Sequence, residues 1–187
     1  MSLLVPVLTL PGWLGSGPGH WQSRWEALHG FTRVEQHDWL RPLRGDWSAR
    51  LEEVLLAQHE PVVLAAHSLG CILVAWWAAH SRHTDRVRGA LLVAPPEVER
   101  AELRERIPGW SPIERARLPF ASTVVASSDD SYGSAEHAAA LASAWGSRFV
   151  LAGARGHLNA DSGLADWPEG LALLRPLREG AFPQDAA

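Results

Sequence analysis

The chain has 187 residues, 47% of them hydrophobic, and a formal net charge of −4. That length suits one domain with a sizeable core, and the acidic balance argues against nucleic acid as a partner, because a phosphate-binding surface needs a basic excess. All 17 basic residues are Arg, so the lysine amine that Walker-type phosphate loops and Schiff-base chemistry require is missing.

The lone cysteine, Cys71, excludes an internal disulfide and a cysteine-based metal site. The start, MSLLVPVLTLPGW, has no basic stretch and its apolar run is broken by Pro6, so it does not read as a signal peptide. The longest near-apolar helical run, Leu69 to Ala79, is too short to span a bilayer. A soluble, cytoplasmic protein is the expectation.

Short apolar runs alternate with helical patterns along the chain, the signature of a parallel sheet covered by helices. The first strand is Val7 to Leu10, followed by a glycine-rich loop from Pro11 to Gly19. A helix begins near His20, with Trp21, Trp25 and Leu28 on one face and Gly30 as its C-cap. A second strand spans Phe31 to Gln36, and a second helix starts at Asp46 as N-cap, with Leu51, Val54 and Leu55 inward. Pro61 to Ala66 is a strand apolar at every position, as burial on both faces demands. It runs straight into a helix from Leu69 to His80 that is apolar nearly all round. Strands follow at Val87 to Ala94, Ser122 to Ser127 and Arg148 to Ala152. A helix from Ser134 to Trp145 ends at Gly146, and a last one starts at Pro168, with Pro176 expected to end or kink it. The segment 95–119 has no strand pattern and reads as a short cap over a cleft within one domain, 1–187. The tail from Phe182 is expected to fray.

The strongest chemical signal lies where strand meets helix, in Ala66-His67-Ser68-Leu69-Gly70. A serine on so tight a turn is held in a strained conformation with its hydroxyl above the sheet. The pattern is G-x-S-x-G with Ala66 in place of the first glycine. The N–H of Leu69, at the helix start, is well placed to bind a developing oxyanion. A serine hydroxyl needs a base. In this architecture the order is serine, acid, histidine, each after a strand. Of nine histidines, His157 meets that order in a glycine-flanked loop after the last strand, whereas His137 sits inside a helix. The acid is Asp129 or Asp130, after the fifth strand; Asp161 and Asp166 come too late in the chain. His67 reads as structural. Trp13, after Gly12, is the candidate for the second oxyanion N–H.

A dinucleotide-binding loop is the rival reading of the glycine-rich segment. However, glycines at 12, 15, 17 and 19 do not spell G-x-G-x-x-G, and Pro18 removes a donor. Glu35 and Asp38 are the residues that would take the ribose in that reading.

Taken in order, the P-G-W loop, H-W at a helix start, H-S-L-G, S-S-D-D, G-H-L-N-A-D-S-G and W-P-E-G resemble the small serine-hydrolase family that includes bacterial YdeN and the hydrolase first named as a retinoblastoma-binding protein. The resemblance covers about residues 5 to 178. It implies a minimal α/β-hydrolase: a three-layer αβα sandwich with a six-stranded parallel sheet in the order 2-1-3-4-5-6. By position it makes Ser68 the nucleophile, His157 the base and Asp130 the acid. The family usually has Asp-Pro there, whereas Asp130 is followed by Ser131. His20 and Trp21 match the H-W pair and are expected to pack beneath the cleft.

The expected activity is cleavage of a small carboxylic ester, amide or thioester through an acyl-serine, with no cofactor and no metal. Trp13, Trp110, Leu158 and Trp167 are expected to line a pocket for an apolar or aromatic group. The alternatives are a non-catalytic protein-binding member of the fold and a nucleotide-binding α/β domain.

Overall fold

A computed structural model describes residues 5–181; the tail from Phe182 lies outside the described residues. The apolar runs become six strands: β1 (Val7–Leu10), β2 (Thr32–Arg33), β3 (Val62–His67), β4 (Val87–Val93), β5 (Ala121–Ala126) and β6 (Arg148–Leu151). All pair in parallel in the order β2-β1-β3-β4-β5-β6, which is the order expected from the sequence. The helices are α1 (Trp21–His29), α2 (Arg44–Leu56), α3 (Leu69–His80), α4 (Ala101–Arg106), α5 (Ala135–Trp145) and α6 (Pro168–Glu179).

Successive strand residues point to opposite faces, and the two cores divide accordingly. Leu8, Leu10, Leu64, Ala66, Leu92 and Val124 meet α2, α3 and α5 through Trp47, Leu51, Ile72, Leu141 and Trp145. Val7, Val63, Ala65, Leu91, Val93 and Val125 meet α1 and α6 through Trp21, Trp25, Leu174 and Leu177. Each large apolar side chain so buried contributes about 1.5–3 kcal/mol of transfer free energy. α3 gives the first core seven residues, from Leu69 to Trp77, because its first turns have no solvent face.

Beyond shifts of one residue at strand ends, some elements differ from expectation. Only Thr32 and Arg33 pair as β2, because this edge strand has one neighbour, although the N–H of Val34 still donates to Thr9 O at 2.9 Å. α2 starts two residues before Asp46, at Arg44, with no side-chain cap; Asp46 stands in its first turn instead, where a carboxylate suits the helix dipole. Pro176 does not end α6, which runs to Glu179. The carbonyl that Pro176 cannot satisfy, that of Ala172, belongs to an exposed residue, where solvent can reach it. Within 95–119 the chain forms the short α4, with Leu103 and Ile107 buried beneath it.

Candidate active site

The site sits at the C-terminal ends of β3, β5 and β6. β3 passes into α3 through Ser68, which takes φ 53° and ψ −123°. A non-glycine residue held there stores about 1–3 kcal/mol of strain. Close packing enforces it. The N–H of Ser68 donates to Val93 O at 2.8 Å, and the Ser68 carbonyl accepts from Cys71 N–H at 2.8 Å. A Cβ on Gly70 would overlap the carbonyl oxygen of Leu10, and a Cβ on Gly12 would lie 2.8 Å from Ser68 Cβ and 3.1 Å from Leu69 N. Two glycines thus let β1 and its loop press against the turn. Ala66, at the position where the motif has glycine, is buried in the first core.

His157 Nε2 lies 2.9 Å from Ser68 Oγ. Its Nδ1 lies 2.9 and 2.8 Å from the two carboxylate oxygens of Asp130. The two side chains are only 11% and 2% exposed, so solvent screens this pair little. An Asp130 oxygen also accepts the N–H of Tyr132 at 2.9 Å.

Asp129 points elsewhere. It accepts from Ser127 Oγ and from the N–H of Gly156, both at 2.7 Å, while Ser127 Oγ receives the N–H of Arg155. These bonds, the hydroxyl first, hold its carboxyl below the usual range. The two adjacent aspartates therefore divide: one meets the imidazole and the other ties down the loop that carries it.

That loop is itself contorted, with Gly156 at φ 57° and Leu158 at φ 50°. Two ring N–H groups grip consecutive carbonyls of it. His67 Nε2 meets His157 O at 2.9 Å, and Trp21 Nε1 donates to Leu158 O at 2.9 Å. His20 caps α1, its Nδ1 accepting from Gln22 N–H at 3.1 Å, so its hydrogen sits on Nε2. That buried nitrogen has no partner among the described residues. The His20 and His67 rings meet edge to face at 4.6 Å, and His67 and His157 lie 4.9 Å apart. Burial, aided by Arg33 and His157, pushes His20 down to about 3. Burial, aided by the two neighbouring imidazoles, pushes His67 well below the usual histidine value. Both rings are neutral at ordinary pH.

A cleft of about 230 Å³ opens over Ser68. Trp13, Leu14, Pro96, Leu103 and Ile107 give it an apolar wall, and Tyr132, His20, His67 and Asn159 complete it. Among the described residues no acidic or arginine side chain lines it. Arg106 lies just outside, over the Trp13 ring at 4.7 Å. Among the described residues neither the N–H of Leu69 nor that of Trp13 has an acceptor, and no three His, Cys, Asp or Glu side chains are arranged to hold a metal ion.

Three residues expected in the pocket lie outside it. Trp110 is fully buried in the first core, where its N–H donates to Pro42 O at 2.9 Å. Trp167 stacks on Trp25 in the second core, centroids 5.8 Å apart. Leu158 is fully buried there too, because its positive φ turns it away from the cleft. Their places are taken by Leu103 and Ile107, whose i, i+4 spacing inside the Arg- and Glu-rich insertion was the available signal. His20 and His67 line the cleft instead of lying beneath it or away from it.

The sheet order and the strand–turn–helix passage through Ser68 define an α/β-hydrolase fold. Residues 7–176 match the serine hydrolase family, and the chain belongs to that family. A YdeN-like hydrolase from Pectobacterium atrosepticum is 29% identical, with a TM-score of 0.83 over 96% of this chain and 94% of that one. The ydeN gene product of B. subtilis is 20% identical, with a TM-score of 0.72 over 92% and 98%. An esterase from Thermogutta terrifontis shares the fold at 17% identity, with a TM-score of 0.62 over 93% and 90%. No curated protein matches the chain. Among the described residues no helix is long and apolar enough to cross a membrane.

Proposed function

We propose that this serine hydrolase cleaves small, uncharged carboxylic esters through an acyl-enzyme on Ser68. The observation that carries the reading is the hydrogen-bonded chain Ser68 Oγ, His157 Nε2, His157 Nδ1 and Asp130, with both links below 3 Å.

Ser68 Oγ attacks the ester carbonyl carbon while His157 Nε2 takes its proton. Asp130 fixes the tautomer with hydrogen on Nδ1 and stabilises the imidazolium that forms. The N–H groups of Leu69 and Trp13 receive the oxyanion, and their lack of protein acceptors suits them to it. Collapse of the intermediate breaks the ester C–O bond, and His157 delivers its proton to the departing alkoxide. Water then attacks the acyl-serine by the same route, releasing the acid and restoring the hydroxyl. Amides and thioesters fit the same steps.

The cleft volume lies below the roughly 300 Å³ at which drug-sized pockets begin, which favours short acyl groups. The apolar wall and the lack of charged lining favour neutral ones. A fluorophosphonate probe should label the wild type at one residue, and p-nitrophenyl esters should be turned over fastest at short chain length. Labelling retained by Ser68→Ala, or a preference for charged or long-chain esters, counts against this reading.

A further inference from the structure

His67 is buried at 5% exposure and is the residue covalently joined to Ser68. As the last residue of β3 it is paired with Val93 of β4, so its main chain is held by the central strands of the sheet. Its Nε2 meets a carbonyl oxygen, that of His157, at 2.9 Å. A carbonyl only accepts, so the ring donates and carries its hydrogen on Nε2. His157 stands between two residues with positive φ, Gly156 and Leu158, in a loop that no strand pairing holds in place.

We propose that His67 is a positioning residue, setting the distance between Ser68 and His157 through a single hydrogen bond to the main chain of His157. The inference rests on the assignment of His157 as the base. One end of the bond is fixed to the residue preceding the nucleophile and the other to the residue that takes its proton. The imidazole is therefore measured from the same point as the hydroxyl it serves. Trp21 repeats the grip one residue on, at Leu158 O. His20, Trp21 and His157 pack around the His67 ring, and the uncharged ring puts no positive charge beside the base.

Three variants test this. Glutamine places an amide N–H where His67 Nε2 stands, asparagine stops short of it, and leucine fills the space without a donor. His67→Leu and His67→Asn should lower kcat on a short p-nitrophenyl ester by about 10- to 100-fold, the effect of a reacting group displaced by up to about 1 Å, with a much smaller change in KM, since His67 also lines the cleft. His67→Gln should recover most of the rate. Fluorophosphonate labelling rates should follow the same order. Thermal midpoints should follow another order: leucine and asparagine strand the His157 carbonyl alike, but leucine fills the buried space that asparagine leaves empty, so leucine should melt above asparagine although both lose rate. If leucine does not fold, the glutamine–asparagine pair carries the comparison. Equal rates in glutamine and asparagine, or rates that track the midpoints, overturn the inference. A wild type that resists the probe, or a Ser68→Ala variant that accepts it, overturns the assignment of nucleophile and base instead.

Discussion

Asp129 and Asp130 are neighbours of one chemical type with separate tasks, and substitution should tell them apart. Asp130→Asn keeps the shape but loses the charge and the tautomer control on His157; kcat should fall about 10³- to 10⁴-fold, with the fold intact by circular dichroism. Asp129→Ala removes the acceptor for Gly156 N–H and loosens the loop without touching the imidazole, so its loss in kcat should be far smaller. Equal losses would mean that the two carboxylates act as a unit. Chain order alone left this pair undecided, because it constrains both alike, and the family resemblance pointed to Asp130. Only the turn after β5 decides which carboxylate reaches the imidazole and which turns back to Ser127 and Gly156. That Ser68 and His157 would meet was legible because a serine between a buried strand and a buried helix, and a histidine after the last strand, leave few alternatives.

At the scale of elements, the strands, α3 and the caps of α5 were readable from local pattern, since apolar runs, Ser134 and Gly146 act within a few residues. The cleft walls were not. Trp13 lines the cleft as expected, but Trp110 and Trp167 do not, and half of the ten indoles fasten loops to the core. Trp21, Trp25, Trp47, Trp110 and Trp145 each donate to the backbone carbonyl of a distant segment. Such a role depends on contacts 9 to 141 residues away and leaves no local periodicity. Trp110→Phe should therefore destabilise the protein, by about 1–3 kcal/mol for the stranded Pro42 carbonyl alone, while leaving the acyl preference unchanged; urea unfolding and an ester panel check both halves. A methyl group at Gly70 meets the backbone of Leu10 and should cost about 1–3 kcal/mol. Gly17→Ala, with nothing within 4 Å, should be near neutral.

For the molecule as a whole, the buried neutral histidines predict how stability depends on acidity. His20 and His67 are depressed by burial first, and burial moves His137 the same way. Below about pH 6.5 the unfolded chain binds protons that the native one refuses, so stability falls as pH drops. The slope reaches about 1.4 kcal/mol per pH unit for each of His20 and His67. Glu99, held at about 2 by Arg115, keeps its contribution above its unfolded value near 4.5 and loses it only as pH falls toward 2. It therefore does not confound the range from pH 7.5 to 5. Urea titrations across that range should show the decline, and His20→Gln should flatten it; a level profile would contradict the neutral assignment.

The partners at the centre of the site are also far apart along the chain. Ser68 and His157 are separated by 89 residues, with three strands and the α4 segment between them. A ribosome adding roughly 5–20 residues per second completes the elbow seconds before it reaches the imidazole. Through that interval the growing chain carries a hydroxyl with no group to take its proton. If Ser68 is the nucleophile proposed, the order of translation keeps it silent until the last strand of its sheet has been made, and stalled nascent chains that stop before residue 157 should take up no probe.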